Sequence, residues 1–401
     1  MDDRSADPIE ALARWLIGPA RRGLAPVALI DGFCRRLLEQ GVPLWRLRAG
    51  QAIANPLASA WGVIWTREGS GAQEYTVPAT MLRTGAYFGS PFEHVIRTRN
   101  SFRRRLVDLD PDRDHQVLHE MQALGGTDYL ALPLEYGDGS VQGLSFVADG
   151  AGFSERDLAI VERLRQPLAA ALEPTAMRRS TASLLRSYLG DGPASAVLAG
   201  SIRRGDRRRI EAAILFSDLR GFTALSERLE EAALFAALDR YFEAVVEGVH
   251  AAGGDVLKFL GDGVLAIFPV AACGDPAAAC RAALSAVERA RDALADTPAD
   301  ALPLDFTATL HVGEVVYGNI GSPDRLDFTV LGPAVNLVSR LEGLAKQLER
   351  PVLCSAAFAQ ALGLAAPALG MFPLKGVAEP QEVFAPLATP ARELLPEMDH
   401  G

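Results

Sequence analysis

The sequence predicts an α+β chain of two domains, a mixed α+β domain followed by one built in the order β-α-β-β-α-β. Three observations predict it. The 401 residues exceed the length at which single hydrophobic cores stop growing. Apolar residues make up 49% and charged residues 22%, which is ordinary globular composition and argues against wholesale disorder. Strand-like and helical patterns alternate in the first third, and from residue 211 onward they fall into the six-element order.

In the first part, residues 25–40 read as an amphipathic helix, and Trp61–Trp65 and Tyr129–Leu134 read as strands. Gly137, Asp138 and Gly139 supply a turn before the strand Val141–Val147, so a hairpin is expected. Ser154 reads as the N-cap of a helix over about 155–173, with Glu155 and Asp157 in its first turn. His115 and His119 are four apart with Glu120 adjacent, the residue types of a metal pair. No further ligand joins them, so a solvated helix face is the reading taken. Trp61 and Trp65 could line a ligand pocket, but core packing is preferred. A late hairpin followed by a long helix resembles GAF-type sensory domains over about 25–173. That resemblance implies a ligand-binding or dimerising module at residues 1–175, with a small-molecule or protein signal as its partner.

Residues 176–210 read as a helical linker. Leu184–Leu189 is expected to be a short helix, broken by Gly190-Asp191-Gly192-Pro193. Arg203, Arg204, Arg207, Arg208 and Arg209 then read as a solvated connector paired with acidic neighbours, or as a signalling joint. Next come a strand at Ala212–Phe216, a helix over about 223–251, and strands Val256–Leu260 and Val264–Phe268 about the turn Gly261-Asp262-Gly263. A helix over about 275–296 and a strand at Leu304–Leu310 complete the split βαβ, or ferredoxin-like, plan.

That plan has a chemical consequence. The second strand runs parallel to the first and the third returns beside it, so the hairpin turn lies next to the carboxyl end of strand one. Asp218 sits at that end and Asp262 in that turn. Alone, each reads as a cap or turn aspartate. Together they are two carboxylates that repel unless a cation lies between them, and hard oxygen ligands suit Mg²⁺ or Mn²⁺. Gly221, Phe222 and Thr223 open the following helix, where backbone N–H groups can cradle phosphate oxygens. Asn336 and Arg340 are i, i+4 on one helix face, and an Arg there can neutralise charge building on phosphate oxygens.

Phe216–Thr223, Asp255–Gly263, Gly318–Thr329, Gly332–Arg340 and Phe372–Gly376 together resemble the class III nucleotidyl cyclases over roughly 184–386. The resemblance implies a catalytic domain over 211–388 and a tail at 389–401. It implies two Mg²⁺ (or Mn²⁺) held by Asp218, Asp262 and the Leu219 carbonyl. Lys258 and Thr329 would read the adenine edge, Asn336 and Arg340 would orient the ribose and stabilise the transition state, and Lys375 would contact the phosphates. Lys with Thr favours ATP, because Lys258 can donate to adenine N1 and the Thr329 hydroxyl can accept from the N6 amine. Members that use GTP carry an acidic and a small polar residue there. The implied enzyme is an adenylate cyclase acting as a homodimer, with metal aspartates from one chain and Asn/Arg from the other. A guanylate cyclase and a catalytically silent dimerisation module are the alternatives. Pro333 departs from the family's usual polar residue, yet proline is sterically acceptable at a helix start. Gly253-Gly254-Asp255 is similar to the diguanylate cyclase signature, but it precedes the hairpin and lacks the acidic-aromatic pair.

Charge and composition exclude other classes. A net charge of −10 disfavours a general nucleic-acid or acidic-membrane binder. No apolar run is long enough for a membrane-spanning helix, and the opening Met1-Asp2-Asp3-Arg4 leads into no signal-type apolar core. Cys34, Cys273, Cys280 and Cys354 show no metal-type spacing, so a reducing, cytoplasmic setting is expected.

Overall fold

The computed structural model describes residues 7–53, 58–69, 71–78, 80–81, 84–296, 301–365 and 367–387. The opening residues Met1–Arg4 and the expected tail at 389–401 lie outside the described residues. The chain divides between Ser187 and Tyr188 into two units.

Unit one is a six-stranded antiparallel sheet in the order β3-β2-β1-β6-β5-β4. The strands are β1 Leu44–Ala52, β2 Ala58–Thr66, β3 Gly71–Pro78, β4 Phe102–Arg105, β5 Asp128–Glu135 and β6 Val141–Ala148. Helices α1 Pro8–Trp15 and α2 Pro26–Glu39 bury Leu12, Leu29, Ile30, Phe33 and Leu37 with Leu47, Val63, Leu132 and Phe146 of the sheet. Helices α3 Pro91–Thr98 and α4 Gln116–Ala123 contribute Val95, Leu118 and Met121 to a separate cluster with Tyr129, Ala131 and Val147.

The expected hairpin is β5–β6. The Tyr136 N–H donates to the Ser140 carbonyl across its turn, and Gly139 takes φ +83. Trp61 and Trp65 are 4% and 3% exposed and belong to the core, as preferred from the sequence, with the Trp65 indole donating to Asp31 at 2.9 Å. His115 precedes α4 and caps it, its Nδ1 accepting from the Val117 N–H.

The helix expected over about 155–173 runs on as α5 Glu155–Leu189, across the expected boundary at 175/176 and through the stretch read as a separate short helix. Pro167 and Pro174 stand inside it. An interior proline costs about 3 kcal/mol. The buried run Ile160, Val161, Leu164, Leu168, Ala171, Leu172 and Ala176 offsets that cost, so tertiary packing overrides the local signal.

Unit two opens with α6 Asp191–Leu198 after Gly190, whose φ of +83 ends α5. Its eight-stranded sheet runs β13-β14-β12-β10-β7-β9-β8, with β11 on β10. The strands are β7 Arg207–Leu219, β8 Asp255–Leu260, β9 Gly263–Pro269, β10 Phe306–Gly321, β11 Leu326–Leu331, β12 Val352–Ser355, β13 Gly370–Phe372 and β14 Gln381–Phe384. The stretch β10-β7-β9-β8 is the 4-1-3-2 order of the split βαβ plan, all antiparallel. Successive β7 residues take opposite faces. Ala213, Leu215 and Leu219 pack with α8 Glu231–Ala251 and α9 Pro276–Ala295, whereas Ala212 and Ile214 pack with α10 Pro333–Gln347.

Three elements differ from expectation. Strand β7 begins at Arg207, so Arg207–Arg209 belong to the sheet and not to a connector. Arg209 pairs with Glu314 at 2.9 Å, and Arg208 lies over the Tyr317 ring. Strand β10 runs to Gly321 through Gly313 and Gly318; a Cβ at Gly318 would meet the Asp206 carbonyl at 2.2 Å, so close backbone approach requires glycine there. The helix expected over 223–251 is split into α7 Phe222–Arg228 and α8 at the extended Leu229, φ −93 and ψ 144.

Candidate metal and nucleotide site

Asp218 and Asp262 meet at one end of the sheet. Asp218 pairs in register with Gly263 of β9, and the Leu219 N–H donates to the Asp262 carbonyl at 3.4 Å across the hairpin turn. Gly261 takes φ +67, the left-handed conformation that lets the turn close. Asp218 is 9% exposed. Burial raises the Asp262 pKa, and the Asp218 carboxylate beside it raises it further.

A cation already stands in this charge trough. Lys346, in the last turn of α10, places Nζ 2.6 Å from Asp218 Oδ2 and 2.5 Å from Glu342 Oε1. Burial lowers its pKa, but the hydrogen bonds to Asp218 and Glu342 outweigh that and hold it charged. The donor set therefore fits a divalent cation: two carboxylates and the Leu219 carbonyl at a strand end, with an ammonium as stand-in. No group of three His, Cys, Asp or Glu side chains gathers here or elsewhere among the described residues, so the protein side chains of this site are two carboxylates. The remaining ligands would be water and substrate phosphate, the usual arrangement for Mg²⁺.

Beneath Asp218, Ser217 points to the opposite face, where its hydroxyl shares a 2.8 Å hydrogen bond with the fully buried Tyr241 hydroxyl. Tyr241 packs against Phe306 and Phe242, which fixes the end of β7 from below. Gly221 N-caps α7 at φ +72, with Phe222 partly buried against the core and Thr223 exposed. The helix that follows Asp218 is only seven residues long.

Lys258 stands on β8 just after a register shift at Val256/Lys258, a bulge that re-aims the side chain. Its ammonium pairs with Asp327 on β11. Thr329 lies two residues further along β11, so it shares the Asp327 face; it is 3% exposed and pairs in register with Gly318. Lys258 and Thr329 are thus gathered about one strand.

Asn336 and Arg340 are exposed on one face of α10, and neither side chain has a polar partner among the described residues. Counting from Lys346 at about 1.5 Å per residue, Asn336 lies about 15 Å and Arg340 about 9 Å back along the helix. The stretch of α10 that passes this chain's own Asp218 is therefore not the stretch that carries Asn336. Lys375 is exposed in the turn after β13, beside buried Leu374.

Sequence reasoning missed Lys346, Asp327 and the Ser217–Tyr241 bond. A lysine in a last helical turn reads only as a cation suited to the helix dipole. Lys346 is 128 residues from Asp218, and only the folded sheet brings them together.

Residues 207–380 match the sequence profile of the adenylate and guanylate cyclase catalytic domain. An adenylate cyclase of Anabaena cylindrica is 37% identical over 140 residues, 33% of this chain and 27% of that protein. Adenylate cyclase 1 of Rhizobium meliloti is 37% identical over 152 residues, 37% of this chain and 23% of that protein. The matched stretch spans about a quarter of the length of these two relatives. A crystal structure of the adenylyl cyclase CyaB from P. aeruginosa is 29% identical, with a TM-score of 0.39 over 44% of this chain and 93% of that one.

Proposed function

Residues 207–380 belong to the adenylate and guanylate cyclase catalytic domain family, and from that premise we propose that this chain converts ATP to 3′,5′-cyclic AMP and diphosphate. The observation that carries the proposal is the Asp218/Asp262 carboxylate pair at the β8–β9 turn, already drawing a cation in the form of Lys346. Bound Mg²⁺ or Mn²⁺ would acidify the ribose 3′-hydroxyl and neutralise the triphosphate.

The chain's own groups do the rest. Asp218, Asp262 and the Leu219 carbonyl hold the cations. Lys258 donates to adenine N1, and Asp327 sets the position of its ammonium. Thr329 accepts from the N6 amine. The backbone at Gly221–Thr223 and the Lys375 ammonium meet phosphate oxygens. Asn336 orients the ribose and Arg340 balances charge on the α-phosphoryl oxygens as the 3′-oxygen attacks and diphosphate leaves. Holding these groups in line supplies much of the barrier reduction.

The active form is a homodimer with two composite sites. The offset of Asn336 along α10 supports this. So do exposed apolar side chains on the strands about the site: Phe259 and Leu260 on β8, and Leu326 and Leu331 on β11, each 39% exposed or more. The N-terminal unit regulates the output, and the chain acts in the cytoplasm; no helix among the described residues is long and apolar enough to cross a membrane.

The test is product formation by purified protein with Mn²⁺ or Mg²⁺, offering ATP and GTP separately, beside Asp262→Ala. Cyclic AMP from ATP that disappears in the variant supports the reading. Cyclic GMP would overturn the base assignment, and no product from a proven dimer would favour the silent module.

A further inference from the structure

Unit one holds a cavity of about 330 Å³ between its sheet and the layer formed by α3 and α4. That is within the usual range for a small-molecule site. Its walls are mostly apolar: Val77 of β3, Phe92 and Ile96 of α3, and Val117 of α4. Its floor is cleared by glycines. A Cβ at Gly143 would meet the Phe92 ring at 2.3 Å, and one at Gly50 would meet the same ring at 2.9 Å. A Cβ at Gly62 would meet the Tyr75 ring at 2.6 Å. The rings of Phe92 and Tyr75 therefore lie directly on the sheet.

Arg48 is the guanidinium of this chamber, and Glu120 of α4 also lines it. The Arg48 guanidinium sits 4.6 Å from the Tyr75 ring centroid and 5.2 Å from that of Phe92, and its Nε donates to the Tyr75 hydroxyl at 2.9 Å. No carboxylate pairs with it among the described residues. Glu120, the acid that shares the lining, accepts from the Gln116 amide at 2.8 Å and forms no ion pair with Arg48 among the described residues. Arg46, on the same strand, is half-buried and likewise has no carboxylate partner among the described residues. A guanidinium clamped by two rings in an apolar cavity, with surplus positive charge beside it, lacks an anion.

We propose that this cavity is the receptor site for a small organic monocarboxylate with a planar, mainly apolar body, its carboxylate on Arg48 and its ring along Tyr75 and Phe92. The carboxylate matches the two-pronged guanidinium. The proposal deepens the regulatory part of the reading above by naming its ligand class. It concerns unit one alone, and binding is read without cyclase activity, so the two can fail separately.

The test uses the full chain and isothermal calorimetry with benzoate, indole-3-carboxylate and 1-naphthoate, each beside its neutral amide. The expected result is binding of at least one acid, with its amide at least tenfold weaker. Arg48→Met should erase that preference and Arg48→Lys should keep part of it, circular dichroism checking that both fold. Equal binding of acid and amide overturns the proposal, as does no heat from any acid at millimolar concentration. Saturable binding of inorganic phosphate that displaces the acids would reassign the site to phosphoesters.

Discussion

The Lys346 ammonium, in the last turn of α10, lies 2.6 Å from the Asp218 carboxylate, against the carboxylate pair proposed above to hold the metal ions. On that proposal, metal entry displaces the ammonium. Lys346→Met should therefore tighten Mn²⁺ binding several-fold, because the ion no longer competes with an internal cation. The metal-free variant should also lose stability, by no more than about 1 kcal/mol since the lysine side chain is 53% exposed. Calorimetric titration with Mn²⁺ and a thermal melt read the two effects, and unchanged affinity would show that Lys346 is a bystander.

The carboxylate pair should also set a pH dependence. The Asp262 pKa is raised above 3.8 in the folded protein, first by burial and then by Asp218. A raised carboxyl favours the folded state at low pH, where it is protonated in both states. That contribution is lost as pH rises through the folded value. Without metal, stability should fall over that window above 3.8, and Mn²⁺ should restore it, increasingly so at higher pH. Asp262→Asn should flatten both trends in melts recorded across the series.

The composite-site reading gives a mixing result. Asp218→Asn and Arg340→Ala homodimers should each lose activity by roughly a hundredfold or more. Mixed in equal amounts and allowed to exchange, half the dimers are heterodimers with one intact site of two, so about a quarter of wild-type activity should return. No recovery despite proven exchange would place both residues in one chain's site.

On the proposed base reading, Asp327 holds the Lys258 ammonium in place. Asp327→Asn releases the Lys258 ammonium, and the KM for ATP should rise roughly three- to tenfold with kcat less affected, the cost of one charge-assisted contact. Lys258→Glu should lower ATP use and raise the GTP to ATP ratio. Steady-state kinetics on both nucleotides separates these outcomes.

The joint after α5 offers a further check. Gly192 sits so close to Asp255 that a Cβ would meet its Oδ2 at 2.5 Å, and the Asp255 carboxyl, its pKa raised by burial, accepts from the Gly192 backbone. Gly192→Val should push α6 off β8 and change cyclase output while Mn²⁺ affinity at Asp218/Asp262 stays the same. An altered Mn²⁺ affinity would mean that the substitution disturbs the whole unit.

Turn chemistry made the β8–β9 hairpin legible, since Gly261-Asp262-Gly263 between two apolar runs allows little else. The same hairpin made the Asp218/Asp262 juxtaposition deducible, because topology alone fixes which strand ends are neighbours. The break at Leu229 was not legible, as no glycine, proline or cap residue marks it. The helix expected over about 155–173 was too short, because a buried stripe carries α5 on to Leu189. The strand expected at Leu304–Leu310 runs on to Gly321 as β10, through Gly318, where glycine lets Asp206 approach. Pairings set by tertiary distance, Lys346 with Asp218 and Lys258 with Asp327, leave no local trace.

On the proposal that unit one binds a small acid, the glycines of its sheet would make that binding separable from folding. At Gly50 and Gly143 an added methyl group would meet the Phe92 ring and force it to move from its place on the sheet. The chamber can therefore be reshaped by adding single carbon atoms, without touching the cluster of Leu47, Val63 and Phe146. If the proposed ligand acts there, one small substitution would turn a responsive protein into a deaf one, and its reversion would restore the response.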